Sequence, residues 1–471
     1  MGNGSRNGEP TRGASRGGRT MLLLFCVLAL AWGVRFGVAS LTTPFQLLGD
    51  ERYFAKVATN IAAGEGHQLT PWTRAWRPPA FSYVLAATLP ERTAARGDPA
   101  QAIQHFVQVQ LVLGTILVAL VFLLGQALFD TRTGLLAALI AAIYPNLVAY
   151  SHFLWSETLF AVLLAAGIVA VWYAAERASG PLALFAGAAL GMAALTREVA
   201  IPVAGVCAAW GVYGAWYSDR RGALMRAALT MIALTVAVLP WTIRNYRIYE
   251  RFIPVSTVGW YAIAESNTLD REDWLDPLPR RAIEFRGRYL AIEDELQQME
   301  FARAQALLEI RSEQPTWIFK KMVRNVALFF QPDSFVAKKL RKGAYGPVER
   351  THRRVIVALT SVSYSLVLVA AVLGALTDPD RRRRRLMAAL LVTVVALHVV
   401  ATSVTRFRVP WTPLLIVYAS HAFLNCGMVR ARLRGFAAVA AVLSLCAFAW
   451  IAVCYFPAWS HSAAVWRTPT P

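Results

Sequence analysis

The sequence predicts an all-α, polytopic membrane protein with a bundle of about eleven transmembrane helices. Of its 471 residues, 56% are apolar. These residues fall into runs of roughly twenty, the length at which an α-helix crosses the hydrocarbon core of a bilayer. The segments between the runs show too little alternation of apolar and polar residues for a separate β domain. These features argue against a soluble single domain.

The charge balance agrees with this prediction. Lys and Arg number 48 against 28 Asp and Glu, and the formal net charge is +20. In a soluble protein this excess would suggest a nucleic-acid partner. Here most arginines flank apolar runs, where they anchor to phospholipid head groups and set the topology. We therefore expect membrane lipids as partners and no nucleic acid.

The predicted spans, taken in order, alternate across the membrane. They are Met21–Leu41, Phe106–Phe129, Gly134–Tyr150, Glu157–Ala175, Pro181–Leu195, Ile201–Tyr217, Ala223–Ile243, Val355–Leu376, Leu386–Ser403, Val409–Leu424 and Gly435–Phe456. Arginines are concentrated in every second loop, notably in the run Arg381 to Arg385. Because cytoplasmic loops carry the excess of Lys and Arg, the N-terminus is predicted to be cytoplasmic, in the plasma (inner) membrane.

This topology divides the chain into five segments. Residues 1–20 form a basic cytoplasmic tail without an apolar pattern, which we expect to be disordered. Residues 21–243 form an N-terminal transmembrane module that includes a first outside loop, 42–105. Residues 244–354 form a second outside segment, residues 355–456 the C-terminal transmembrane helices, and residues 457–471 a short outside tail.

Both outside segments contain amphipathic patterns that are too polar to span. In the first, an apolar face alternates at helical spacing with a polar face, which predicts a helix lying in the head-group plane. The apolar face comprises Tyr53, Phe54, Val57, Ala58, Ile61 and Ala62, and the polar face comprises Glu51, Arg52, Lys56, Thr59 and Asn60. Pro78 and Pro79 then open a short helix, Ala80–Leu89. The second segment contains a helical acidic and basic stretch, Arg280–Glu313, and an amphipathic helix, Trp317–Phe330.

The polar groups that could carry chemistry all fall in loops on the predicted outside face. They are Asp50 with Glu51; Arg74 with Arg77; His152 with Glu157; Arg197 with Glu198; Arg244 with Asn245 and Arg247; and Arg406 with Arg408. Charged groups near a bilayer tend to line a cavity or to pair with each other. Their concentration on one side predicts a single cleft rich in arginine, which suits an anionic lipid substrate. Its phosphate would bind Arg77 together with Arg244, Arg247, Arg406 or Arg408.

A cleft of this composition suits sugar transfer from a polyprenyl phosphate to an alcohol. The departing phosphate is already a good leaving group, so the reaction needs one base for the acceptor's proton and cations for the growing phosphate charge. A hydrolase of ordinary glycosides would need two opposed carboxyl groups. The cysteines and histidines show no metal-ligand spacing, so no metal or cofactor is expected.

Six stretches taken together resemble the GT-C superfamily of membrane glycosyltransferases, in particular the family 39/83-type enzymes. These include protein O-mannosyltransferases and aminoarabinose transferases. The stretches are Gly49-Asp50-Glu51-Arg52-Tyr53 with its flanks, Trp76-Arg77-Pro78-Pro79, Ser156-Glu157-Thr158-Leu159-Phe160, Leu195-Thr196-Arg197, Pro240-Trp241-Thr242-Ile243-Arg244-Asn245-Tyr246 and Arg406-Phe407-Arg408-Val409-Pro410. The similarity covers most of Met21–Leu424.

The resemblance implies a multi-span fold in which Asp50 is the catalytic aspartate and Arg77 contacts the phosphate of a polyprenyl-phosphate monosaccharide. It implies that Glu157 is a helper acid or an acceptor contact, although some members have Asp there. The complete set of candidates has Asp50, Glu51 and Glu157 as catalytic residues. The candidate substrate-binding residues are Tyr53, Arg74, Arg77, Arg244, Asn245, Arg247, Arg406 and Arg408. The acceptor would be a protein, a lipid or a glycan.

Several simpler interpretations remain open. Local sequence alone favours a helix-capping role for Asp50, and it favours exposure to solvent or pairing with Arg52 for Glu51. Arg197 and Glu198 are expected to form a local ion pair. Head-group anchoring could explain Arg77, Arg406 and Arg408.

A lipid-linked saccharide flippase is the alternative from another functional class. It would need ionisable residues near the midplane of the membrane, and His398 is the clear candidate. It would have no need of a fixed carboxylate at the outer rim.

Overall fold

A computed structural model describes residues 11–42, 46–90, 99–268, 280–332 and 334–432. The structure is 79% helical, and no β-strand occurs in these ranges. A single isolated bridge joins Thr70 to Thr73. The predicted all-α class is therefore confirmed.

The chain forms the following helices in order. They are α1 (Thr11–Thr42), α2 (Asp50–Ala62), α3 (Ala80–Ala86), α4 (Pro99–Leu128), α5 (Thr131–Ile143), α6 (Pro145–Tyr150), α7 (Glu157–Glu176), α8 (Gly180–Ala194), α9 (Ala200–Gly214), α10 (Arg220–Tyr249), α11 (Val258–Thr268), α12 (Arg280–Leu290), α13 (Glu295–Ser312), α14 (Thr316–Phe330), α15 (Phe335–Arg341), α16 (Arg350–Thr377), α17 (Arg381–Val400), a 3₁₀ helix (Thr405–Trp411), α18 (Thr412–Leu424) and α19 (Cys426–Arg432).

Five of the described helices are long and apolar enough to cross a membrane. These candidate spans are Gly17–Thr42, Gln101–Leu128, Glu157–Glu176, Arg220–Tyr249 and Arg350–Thr377. Shorter apolar helices, α5, α8 and α9, pack among them. The first ten predicted spans all coincide with helices. The eleventh, Gly435–Phe456, and the tail 457–471 lie outside the described residues.

Several element boundaries differ from the prediction. Helix α1 begins at Thr11, inside the segment that was expected to be disordered. The predicted span Val409–Leu424 begins as the 3₁₀ helix, which places Arg406 and Arg408 in ordered structure. The acidic and basic stretch Arg280–Glu313 is two helices, α12 and α13, and α13 is capped by the Asp294 side chain.

The third predicted span, Gly134–Tyr150, is broken into α5 and α6. Tyr144 is extended, and Pro145 occupies the first position of α6. Proline has no amide hydrogen, so the carbonyl of Ala141 has no i+4 donor. Arg35 of α1 supplies the missing hydrogen bond. It donates to the carbonyls of Ala141 at 3.1 Å and Ala142 at 2.8 Å, although its own side chain is buried within the bundle.

One large apolar core joins most of the transmembrane helices. Small residues allow close helix contacts in it. A Cβ atom on Gly187 of α8 would lie 2.1 Å from the carbonyl oxygen of Thr230 in α10. Small residues at such positions are a common means of packing helices in membranes. A small separate cluster joins α11, α12 and α13, with Phe285 and Tyr289 at its centre.

The amphipathic helix α2, predicted to lie in the head-group plane, packs against other helices of the protein. Tyr53, Phe54 and Val57 are buried as predicted, and they belong to a cluster with Phe81 and Phe106. The polar face of α2 was predicted less accurately. Two of its members, Glu51 and Asn60, are buried as well. Helix α2 is therefore fixed in the structure by contacts on more than one face.

We predict that replacement of Arg35 by Met will destabilise the protein by about 2 kcal/mol or more, because buried carbonyls would lose their donor. The comparison is thermal unfolding in detergent against Arg19→Met, which removes an exposed cation from the same helix. Equal unfolding temperatures for the two variants would contradict this account of the broken helix.

Candidate active site

Asp50 is the first residue of α2, and the turn before it depends on Gly49. Gly49 has φ +56° and ψ −118°, a conformation that residues with a Cβ rarely adopt. Asp50 does not cap the helix, because no side chain makes a capping hydrogen bond there. Its carboxylate instead accepts from Arg77 at Oδ1 and from Arg406 at Oδ2, each at 2.6 Å. The capping interpretation of Asp50 is therefore wrong.

Arg77 is positioned by an aromatic contact of its own side chain and by a backbone hydrogen bond of the loop that follows it. Its guanidinium lies 4.6 Å from the ring centre of Trp76, and Trp76 contacts the ring of Tyr53 edge-on. After the two prolines, the amide of Ala80 donates to the carbonyl of Leu195 at 2.9 Å. These contacts fix the direction from which Arg77 approaches Asp50.

Arg406 enters the site from the 3₁₀ helix, 356 residues after Asp50 in the sequence. Its guanidinium is surrounded by the rings of Trp155, Phe335 and Phe407, with centroid distances of 5.3, 5.9 and 5.2 Å. Its Nε also lies 3.4 Å from Glu157. Arg406 therefore bridges the two carboxylates of the site.

Glu157 begins α7, and only 1% of its side chain is exposed. It accepts from Arg197 at 2.8 Å, and Arg197 also lies 3.4 Å from the hydroxyl of Ser156. The expected local pair of Arg197 with Glu198 is wrong. Glu198 instead accepts from Ser256 at 2.6 Å, because the turn after α8 directs the two neighbouring side chains to different partners.

These groups form a continuous array of two carboxylates and three guanidinium groups. It runs Arg77, Asp50, Arg406, Glu157, Arg197. With all groups ionised, the array has one excess positive charge. The side chains of Asp50 and Arg77 are 17% and 20% exposed, so a ligand can reach them, and Arg197 at the other end of the array is 19% exposed.

The protonation of Asp50 follows from this arrangement. Burial by itself raises the pKa of this carboxyl group, but Arg77 and Arg406 outweigh burial and hold the pKa well below its usual range. Burial by itself lowers the pKa of Arg406, but Asp50 and Glu157 raise it by more, so the net shift is upward. Asp50 is therefore an ionised carboxylate whose two oxygens are both engaged.

Glu51, a predicted catalytic residue, is placed differently from expectation. Its side chain is completely buried, and it forms an ion pair with Lys339 at 2.5 Å. It also accepts from the amides of Leu48 at 3.0 Å and Leu154 at 3.1 Å. The expectation of solvent exposure or of pairing with Arg52 is wrong, because α2 turns this side of its first turn inward.

Arg244 and Asn245 do not contact Asp50. Arg244 donates to the carbonyls of Arg74 and His67, both at 3.0 Å, and it lies over the ring of Trp241. Asn245 donates to the carbonyls of Ile253 and Val255 at 3.1 and 3.3 Å. Both residues brace loops around the site, and their expected contact with the donor phosphate stays a prediction.

Three further predicted binding residues also lie apart from the array. The side chain of Arg74 donates to the carbonyl of Pro71 at 2.8 Å. Arg247 is exposed near the end of α10. Arg408 is buried, donates to the carbonyls of Phe329 and Gln331, and lies 3.5 Å from the centre of the Tyr364 ring. Alternate residues of the 3₁₀ helix thus serve different purposes, with Arg406 in the array and Arg408 in packing.

Glu295 is important to the site but was missed by sequence reasoning. Only 1% of this residue is exposed, and its carboxylate accepts from the amides of Arg74 and Ala75, from the hydroxyl of Thr257 at 2.6 Å and from Tyr249. It therefore holds the loop that carries Arg77. Its sequence context, the first turn of a charged helix, gave no sign that it is buried.

Lys339 was missed for the same reason, since an isolated Lys-Lys pair normally indicates a solvated surface.

Within the described ranges, no group of three or more His, Cys, Asp or Glu side chains could hold a metal ion. Burial and, to a smaller extent, the charge of Lys339 lower the pKa of His152 to about 3. His152 is therefore neutral at physiological pH, and its Nε2 lies 3.0 Å from the hydroxyl of Tyr345.

Comparison with known families gives one match. The family described as dolichyl-phosphate-mannose-protein mannosyltransferase matches residues 77–241. This segment contains Arg77, Glu157 and Arg197, but not Asp50 or Arg406. A comparison with curated proteins gave no match.

Solved structures resemble the chain over most of its length. The archaeal oligosaccharyltransferase AglB from Archaeoglobus fulgidus, in complex with an inhibitory peptide and a dolichol-phosphate, is 16% identical with a TM-score of 0.54. The alignment covers 94% of this chain and 56% of that chain. The apo form of the A. fulgidus oligosaccharyltransferase is 14% identical with a TM-score of 0.53, and the alignment covers 93% and 55% of the two chains.

ArnT from Cupriavidus metallidurans bound to undecaprenyl phosphate is 15% identical, and the alignment covers 85% of this chain and 77% of that chain with a TM-score of 0.38. This chain spans just over half the length of the archaeal oligosaccharyltransferase. The family match and the archaeal structures confirm the predicted resemblance, and this chain shares the fold of the archaeal oligosaccharyltransferase.

We predict that Glu295→Ala will loosen the loop that carries Arg77. Hydrogen exchange at the amides of Arg74 and Ala75 should become at least about tenfold faster, since each amide loses its charged acceptor. The matched control is Glu300→Ala in the same helix, whose carboxylate is exposed. Unchanged exchange in the Glu295 variant would show that other contacts hold the loop.

Proposed function

We propose that this protein is a glycosyltransferase that moves a monosaccharide from a polyprenyl-phosphate donor to an acceptor hydroxyl at the outer face of the plasma membrane. The observation that carries the proposal is the Asp50 carboxylate held between Arg77 and Arg406 at one end of the apolar helix bundle. The GT-C fold supports a transferase, and the dolichol-phosphate bound to the archaeal relative supports a lipid-phosphate donor.

The array provides cations for the phosphate of the donor. Arg77 and Arg406 are the nearest guanidinium groups to Asp50, and the single excess positive charge of the array favours an anionic ligand. This replaces the clamp expected from the sequence, in which Arg244 was the partner of Arg77. Arg244 supports the clamp indirectly by bracing the loop through the carbonyl of Arg74.

The base requires activation, because neither oxygen of Asp50 is available while two arginines engage it. A donor phosphate would compete for Arg77 or Arg406 and would release one carboxylate oxygen. The loss of a guanidinium partner would also raise the pKa of Asp50 towards its ordinary value and make it a better proton acceptor. Donor binding would therefore precede activation of the acceptor.

In the transfer step, the freed Asp50 oxygen takes the proton of the acceptor hydroxyl. The hydroxyl oxygen attacks the anomeric carbon, and the bond from that carbon to the phosphate oxygen breaks. The electron pair of that bond leaves with the polyprenyl phosphate, whose added negative charge is held by the arginines. Direct attack of this kind inverts the anomeric configuration. No metal takes part in these steps.

Glu157 has a supporting part in this proposal. Its carboxylate is almost fully buried and is occupied by Arg197 and Arg406, so it orients the arginines and is not the primary base. The flippase alternative has less support, because Nδ1 of His398, its predicted midplane residue, donates to the carbonyl of Val394 within its own helix, and the ring packs against Phe329 and Phe407. The acceptor would be a protein, a lipid or a glycan.

We predict that Asp50→Asn will reduce sugar transfer at least about 100-fold, because the amide cannot accept the proton. Binding of undecaprenyl phosphate should be retained, since the arginines remain. The control is Asp219→Asn at the start of α10, where the amide can still cap the helix. Transfer at the wild-type rate by the Asp50 variant would remove Asp50 from the mechanism.

A second prediction concerns the pH dependence of kcat/KM, which reports ionisation in the free enzyme. In the wild type the pKa of Asp50 is low, so its protonation should not reduce the rate between pH 5 and 8 (about one unit or more above the ordinary Asp pKa). Arg77→Gln removes a cation that lowers this pKa while burial still raises it. The acid limb of the profile should therefore move to higher pH.

The control for this measurement is Arg177→Gln, which removes a cation that lies over Tyr173 at the end of α7 remote from Glu157. Its acid limb should match that of the wild type. An acid limb for Arg77→Gln at the wild-type position would show that Asp50 is not the titrating base.

A further inference from the structure

In the described part of the chain, the most deeply buried ion pair outside the arginine array is Glu51–Lys339. The two side chains are 0% and 2% exposed, and Lys339 lies in α15, 288 residues after Glu51 in the sequence. Removing two charges from water is costly, and one partner left alone in the interior would be strongly destabilising. Because both side chains are almost completely buried, the packing of the surrounding segments depends on the pair.

Glu51 connects three segments of the chain. Its Oε2 accepts from Leu48 in the turn before α2, and its Oε1 accepts from the amide of Leu154 in the loop before α7. Lys339 of α15 supplies the third connection. The ammonium group also lies 4.1 Å from the ring centre of Phe153, which fastens α15 to the same loop.

Each of these three segments carries a group that contacts Arg406. The α2 turn carries Asp50, which accepts from Arg406 at 2.6 Å. The loop before α7 carries Trp155, 5.3 Å from the Arg406 guanidinium, and leads into Glu157. Helix α15 carries Phe335, 5.9 Å from the same guanidinium and edge-on to Trp155 at 4.8 Å. The relative position of these partners therefore depends on the segments that Glu51 and Lys339 join.

We propose that Lys339 is a positioning residue of the transferase, acting through Glu51 to hold Asp50, Trp155 and Glu157 around Arg406. This inference rests on the proposed function. Lys339 does not belong to the array that would meet the donor, so its removal should impair the chemical step more than donor binding. Glu51, expected to be catalytic, is assigned to the same positioning role.

The test compares Lys339→Met, Lys339→Arg, Glu51→Gln and the double variant Glu51→Gln/Lys339→Met with the wild type. Lys342→Met is the matched control, because this lysine directly follows α15 and is exposed. The measurements are the unfolding temperature in detergent, the dissociation constant of undecaprenyl phosphate, and kcat and donor KM for transfer.

We expect Lys339→Met to lower kcat at least tenfold, with donor KM and the dissociation constant changed less than threefold. Lys339→Arg should restore most of the rate, since it keeps the charge. The double variant should regain unfolding temperature relative to either single variant, because no unpaired buried charge remains, but its kcat should stay low. Lys342→Met should behave as the wild type.

Two results would overturn the inference. One is a folded Lys339→Met protein with wild-type kcat. The other is a kcat that follows the unfolding temperature across all variants, including recovery in the double variant, which would make the pair purely structural.

The transfer activity of the wild-type protein distinguishes failure of this inference from failure of the proposed function. If the wild type transfers no sugar, the proposed function fails, and hydrogen exchange at the amide of Leu154 still tests the connection itself. Glu51→Gln and Lys339→Met should then speed that exchange at least tenfold, and unchanged exchange would overturn the connection as well.

Discussion

The interaction on which the rest of the site depends is the placement of one carboxylate, Asp50, between the guanidinium groups of Arg77 and Arg406. A partly buried carboxylate at the end of an apolar bundle would be protonated or unstable without such partners. The two arginines come from opposite ends of the sequence, so the site exists only when the first outside loop and the 3₁₀ helix are both in place. The function proposed for this protein depends on that convergence.

Elsewhere in the structure, charged side chains bind backbone groups in a similar way. Arg35 compensates for the helix break at Pro145, Glu295 holds the loop that carries Arg77, and Glu51 joins the turn of α2 to the loop before α7. In each case a long charged side chain satisfies backbone groups that lie outside regular hydrogen bonding. Glu51, which sequence reasoning assigned to catalysis or to solvent, is thus one of the charges that fix loops.

The commitment of some arginines to backbone carbonyls affects the chemistry of the site. A site with five exposed arginines would hold phosphate in many orientations, whereas the structure commits Arg244 and Arg408 to backbone carbonyls. The remaining array places two carboxylates among three arginines, and Asp50 is the carboxylate that stays partly exposed, whereas Glu157 is almost fully buried. In the proposed mechanism, this arrangement would couple donor binding to release of the base and would disfavour proton abstraction from water before the donor arrives.

The sequence by itself determined the helical class, the approximate positions of the main apolar helices and the apolar face of α2, because these follow from composition and from the 3.6-residue period of neighbouring side chains. The resemblance to GT-C enzymes also directed attention to Asp50 and Arg77. Only the tertiary structure decided which arginine completes the pair with Asp50, that Glu51 is buried with Lys339, and that Glu295 is a structural acceptor. Helix packing decides which partner a long charged side chain meets, and that partner can lie hundreds of residues away in the sequence. Local sequence therefore does not predict it.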